Sequence, residues 1–125
     1  MSSILGSENQ IEIIRGSSKT FELEVLDESD AAVDLTSARV VLTVKCSLVD
    51  PAPLIQKDSE GGATQVEITA PREGKARIKF SPADTQTLDV GKYTFDVWVV
   101  LASGFRCPVI LPSPFIVQAG VTILT

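Results

Sequence analysis

Leu88–Leu101 reads LDVGKYTFDVWVVL, and its pattern decides the fold. From Tyr93 onward every second residue is apolar: Tyr93, Phe95, Val97, Val99 and Leu101. A period of two in aromatic and β-branched residues predicts a strand with one face buried. Ala102-Ser103-Gly104 then predicts a hairpin turn, with Phe105–Ile110 running back along the strand. Pro108 in that return predicts an edge position or a bulge, because proline cannot donate to a ladder.

Just upstream stands Leu88-x-x-Gly91-x-Tyr93. The spacing resembles a tyrosine corner, where a Tyr at a strand entry hydrogen-bonds back to nearby backbone. A chain passing between two sheets exposes backbone polar groups that a hydroxyl satisfies, and glycine permits close approach. Leu88, Gly91 and Tyr93 are therefore expected to form a structural corner.

The same alternation recurs on both sides. Ile11 and Ile13 predict a short first strand, and Phe21, Leu23 and Val25 a second. Ala38, Val40, Leu42, Val44 and Cys46 share one face of a third, opposite Arg39, Thr43 and Lys45. Pro51 and Pro53 interrupt the pattern, so Leu54–Lys57 reads as a short edge strand and Asp58–Ala63 as a loop. Val66 and Ile68 predict a strand that stops at Pro71, and Ala76, Ile78 and Phe80 predict another. Ser81-Pro82-Ala83-Asp84 carries an N-cap serine, a proline at the first helical position and an acid at N3, which predicts one helical turn. Phe115–Val117 reads as a last strand. Residues 1–9 form an unpatterned arm, 10–118 the patterned body, and 119–125 an apolar tail. Seven to nine short strands with frequent turns predict an all-β, immunoglobulin-like antiparallel sandwich.

Composition narrows the function. A chain of 125 residues suits one domain that needs no staple. Its net charge of -5 and lack of cationic clusters argue against nucleic-acid binding. Three prolines break the C-terminal apolar stretch, so no membrane span is expected, and the N-terminus does not read as a signal peptide. Cys46 and Cys107 both fall in apolar strand register and are expected to be small buried hydrophobes with free thiols; a disulfide between facing strands is the other reading. The chain has no histidine, no zinc-ribbon spacing and no glycine-rich phosphate loop. Asp27, Glu28, Asp30 and Asp34 are better explained by local turn hydrogen bonds than by calcium. Asp84, already assigned to the helix start, is a poor half of a catalytic pair with Asp89. No catalytic residue, cofactor or metal is expected.

One feature breaks the sandwich rule. With Tyr93, Phe95, Val97 and Val99 inward, Thr94, Asp96, Trp98 and Val100 face out, and Val41 falls in an outward register as well. An outer face should be polar. Either a loop such as Pro51–Pro53 folds over these residues, or they form a subunit interface. Val121, Ile123 and Leu124 of the apolar tail point to the second. A mean hydropathy of +0.23, high for a small soluble domain, points the same way.

Three segments, in order, carry a resemblance: Ile14–Phe21, Ala32–Lys45, and Gly74–Thr85 joined to Leu88–Val97. Together they resemble the N-terminal immunoglobulin-like domain of siphophage upper baseplate proteins and similar tail-fibre attachment domains. That resemblance implies a non-enzymatic virion protein, a connector or decoration subunit of tail, baseplate, neck or capsid. Its partners would be other virion proteins and further copies of itself, and its location the virion, with assembly in the host cytoplasm. The alternative is a bacterial surface or carbohydrate-binding module; a single Trp weighs against it.

Overall fold

A computed structural model describes residues 3–4, 10–62 and 64–121. The quoted stretch becomes β8 (Gly91–Val100), set between β9 (Arg106–Gln118) and β4 (Arg39–Lys45). The edge strands β2 (Ile11–Ile14) and β5 (Ile55–Asp58) complete a five-stranded sheet ordered β2-β9-β8-β4-β5. The second sheet is built from β1 (Ser3–Ile4), β3 (Lys19–Leu26), β7 (Lys75–Phe80) and β6 (Val66–Ala70), ordered β1-β3-β7-β6. The molecule is an all-β sandwich of the immunoglobulin-like kind.

Four sequence expectations need correction. The pairing is not wholly antiparallel: β2 lies parallel to β9, Ile11 beside Phe115 and Ile14 beside Gln118. The chain start serves both sheets, so β2 enters alongside the outgoing end of β9. Within the segment read as an arm, Ser3 and Ile4 pair with Leu26 and Val25 of β3. Two residues are too few to show alternation. The return strand and the last strand are one element of 13 residues, β9. Two register shifts interrupt the ladder near the prolines. Phe95 faces Ser113 and Val97 faces Ile110, which leaves Leu111 and Pro112 against Asp96 alone; Trp98 faces Pro108, which leaves Val109 as a second extra residue. Finally, Cys46 is exposed, because β4 ends at Lys45 and the chain bends away; Cys107 is buried, and neither is in a disulfide.

Inward residues of both sheets interlock into one core. Phe21 and Phe80 come from one sheet, Phe95 and Phe115 from the other. Their rings form a chain across the sandwich: Phe21–Phe95 at 6.3 Å, Phe95–Phe115 at 6.3 Å and Phe115–Phe80 at 5.5 Å between centroids. Each fully buried ring contributes roughly 1.5–3 kcal/mol, plus a smaller edge-to-face term. Phe95 stands two residues after the corner tyrosine, where disulfide-stapled sandwiches place a cysteine. Aromatic packing replaces the staple here.

Glycine is required at one crossing. Gly74 has φ 70°, and a Cβ there would stand 2.5 Å from the Val25 carbonyl oxygen. Its own carbonyl accepts from Val25 N at 2.8 Å, which locks the Pro71–Glu73 turn onto β3.

The expected helical turn is present as α1 (Pro82–Thr85), with Asp84 Oδ2 accepting from Ser81 N at 2.7 Å. It delivers the chain to the corner. The Leu101–Phe105 hairpin closes as read, with Leu101 N donating to Phe105 O at 2.9 Å.

Candidate functional site

The tyrosine corner forms as the spacing implied. Tyr93 Oη donates to the Asp89 carbonyl at 2.6 Å. Partial burial, the nearby Asp89 carboxylate and Cys46 push the phenol upward from its usual pKa, against the hydrogen bond itself. Leu88 packs partly buried against the core. Gly91 does not act as expected: no heavy atom lies within 4 Å of where its Cβ would stand. The close approach in this fold belongs to Gly74. In this corner the Tyr93 hydroxyl is committed to a backbone carbonyl.

The outward residues of β8 lie where the alternation puts them. Trp98 is 41% exposed, opposite Val41 on β4 and Pro108 on β9. Val41 and Val100 are half-buried beside it. The Trp98 ring nitrogen donates to Asp96 Oδ2 at 3.2 Å, which holds the indole against the sheet. Pro51, Ala52 and Pro53 are exposed, and that segment does not cover the tryptophan. Leu48, in the β4–β5 loop, is 69% exposed and stands across a groove of about 320 Å³ from Trp98. Thr43, Lys45, Thr94 and Pro112 share the lining. A second groove of about 310 Å³, again walled by Leu48 and Pro112, continues past Lys92 and Tyr93. Val121 of the tail is fully exposed, while Ile123 and Leu124 lie outside the described residues.

Two polar contacts inside the sandwich escape sequence reasoning. Lys57 points inward from β5 and is only 8% exposed; its Nζ meets Asp84 Oδ2 at 2.8 Å and lies 5.9 Å from the Phe80 ring centroid. Its place in β5, two residues after Ile55, was the available signal. Thr85 is wholly buried, and its Oγ1 accepts from Gly16 N at 2.9 Å, tying the β2–β3 turn to the α1 segment. Both contacts anchor α1. Asp84 is thus engaged twice, by the helix start and by Lys57.

The acidic turn behaves as local chemistry dictates. Asp27 Oδ1 accepts from Ser29 N and Ala31 N, and Asp34 Oδ1 from the Thr36 amide and hydroxyl. The Thr36 contacts hold the Asp34 carboxyl below its usual range. Among the described residues no group of three or more His, Cys, Asp or Glu side chains is placed to hold a metal ion. No helix there is long and apolar enough to cross a membrane.

No protein-family model matches the chain, and no curated protein matches it. Among solved structures it is similar to the Lin-41 filamin domain, with TM-score 0.51 and 17% identity over 95% of this chain and 93% of that one. It is also similar to CopC from Methylosinus trichosporium OB3b, with TM-score 0.53 and 13% identity over 99% and 100% of the two chains. The GspB Siglec domain matches with TM-score 0.52 and 20% identity, over 95% of this chain and 58% of that one. At such identities the likeness is one of fold, and proteins this varied share the sandwich without sharing a function.

Proposed function

We propose that this chain is a non-enzymatic structural protein of a tailed-phage virion, a connector or decoration subunit of tail, baseplate, neck or capsid. It works through protein–protein contacts, with other virion proteins and with copies of itself, and enters particles in the host cytoplasm. The exposure of Trp98 on an otherwise well-formed sheet face carries this reading. An indole ringed by Val41, Val100 and Pro108 has the composition of an interface hot spot, and leaving it in water forfeits apolar burial. The three-segment likeness to baseplate attachment domains supplies the virion context.

Proteomics of purified particles from the source host tests the reading. The chain should copurify with tail or capsid proteins at fixed stoichiometry; its absence from particles, with secretion to the cell surface instead, overturns it. A second reading rests on the groove beside Trp98, where the hydroxyls of Thr43 and Thr94 and the Asp96 carboxylate surround one aromatic face. That arrangement suits a saccharide. Titration with a glycan panel separates the two.

A further inference from the structure

The two grooves share Leu48, Thr94 and Pro112 on the outer sheet face, towards the end where β8 begins, and their charge differs from that of the chain. Lys45 lines one and Lys92 the other. Neither forms an ion pair among the described residues. The three cations of β7, on the second sheet, are held: Arg77 by Glu22, Lys79 by Glu67 and Lys75 by Glu73. One carboxylate, Asp96, shares the lining, but its Oδ2 already accepts from the Trp98 ring nitrogen. In a protein of net charge -5, a groove with two ammonium groups against that one engaged carboxylate, over an apolar floor of Trp98, Leu48 and Pro112, attracts carboxylates.

Carboxylates of that kind are carried at the opposite end of this same chain. Arg39 pairs with Val100 and Lys45 with Thr94, so Lys45 and Lys92 belong to the end where β8 begins. Ile14 at the close of β2 pairs with Gln118, and Gly91 with Val117, which places the start of β3 at that same end. The close of β3 therefore lies at the other end, where it turns through Asp27-Glu28-Ser29-Asp30-Ala31-Ala32. Glu28, Asp30, Ala31 and Ala32 are all exposed there. The turn offers carboxylates beside small apolar side chains, which matches the groove in both respects.

We infer that the Trp98 groove receives the acidic β3–β4 turn of a second copy, so that copies join head to tail. This contact rests on the assembly reading above and names the partner at its site. It uses two different patches, so it builds rings or filaments instead of a closed two-fold dimer. Charge attraction across it makes the association sensitive to salt.

Sedimentation velocity on the full chain tests it. Wild type should self-associate at about 50 mM salt, and the association should weaken about tenfold or more near 500 mM. Lys45→Glu/Lys92→Glu should sediment as a monomer, and so should Glu28→Lys/Asp30→Lys. An equimolar mixture of the two variants should associate again, since each supplies the surface the other now complements. Circular dichroism should show both folded. Association that ignores salt and survives Lys45→Glu/Lys92→Glu overturns the inference, as does a wild type that stays monomeric under every condition. Either result leaves copurification with particles as an independent test of the virion reading.

Discussion

The hydroxyl of Tyr93 donates to the backbone carbonyl of Asp89 four residues upstream, at 2.6 Å. That single bond ties the strand carrying the exposed tryptophan to the loop arriving from the other sheet. Tyr93→Phe removes the donor and keeps the ring. The loss should be about 1 kcal/mol, an ordinary net hydrogen bond, read as a lower urea midpoint with unchanged slope. A variant as stable as wild type would contradict the corner's role.

The two cysteines should react differently. Cys46 is exposed and Cys107 buried, and neither is in a disulfide. A thiol reagent should modify one group quickly in the native protein and both after denaturation without reductant. Two groups reacting equally fast in the native state would place Cys107 at the surface. No reactive thiol in either state, with a mass two hydrogens low, would show a disulfide.

Acid should weaken the fold through the carboxylates that have cationic partners. Arg39 grips Asp58 through Nε and Nη2 and holds its carboxyl below the ordinary 3.8. Lys79 does the same for Glu67. With the folded pKa lowered, the unfolded chain takes up protons first. The contribution is complete above the unfolded values, near pH 4, and is lost as pH falls through the lower folded ones. Arg39→Gln should flatten the decline in denaturation midpoint between about pH 5 and pH 3. Parallel curves for variant and wild type would show that the pair contributes nothing.

Alternation made the core strands visible in advance, because a half-buried strand must repeat every two residues. It located Phe95, Val97 and Val99 inside and Trp98 outside, and the helix-start chemistry of Ser81, Pro82 and Asp84 located α1. It missed what depends on contacts between distant residues. The Gly16–Thr85 bond joins positions far apart in the chain, and Ser3–Ile4 is too short to carry a period. Cys46 continued the apolar register of β4 by type, yet the ladder stops one residue earlier, where Lys45 pairs with Thr94. For the candidate site, sequence placed Val41, Trp98 and Val100 on one face. It gave no hint of the groove, which depends on the β4–β5 loop setting Leu48 opposite Trp98.

The claim that the outer face of β8 is an assembly surface is tested most directly by native mass spectrometry of wild type and Trp98→Ala, alongside thermal unfolding. Trp98 is already half in water, so its removal should leave the monomer folded, with a melting point within a few degrees of wild type. Assembly should weaken by about 2 kcal/mol or more, roughly thirtyfold in the dissociation constant. An unfolded variant, together with a wild type that is monomeric at high concentration, would make Trp98 part of the core and contradict the account.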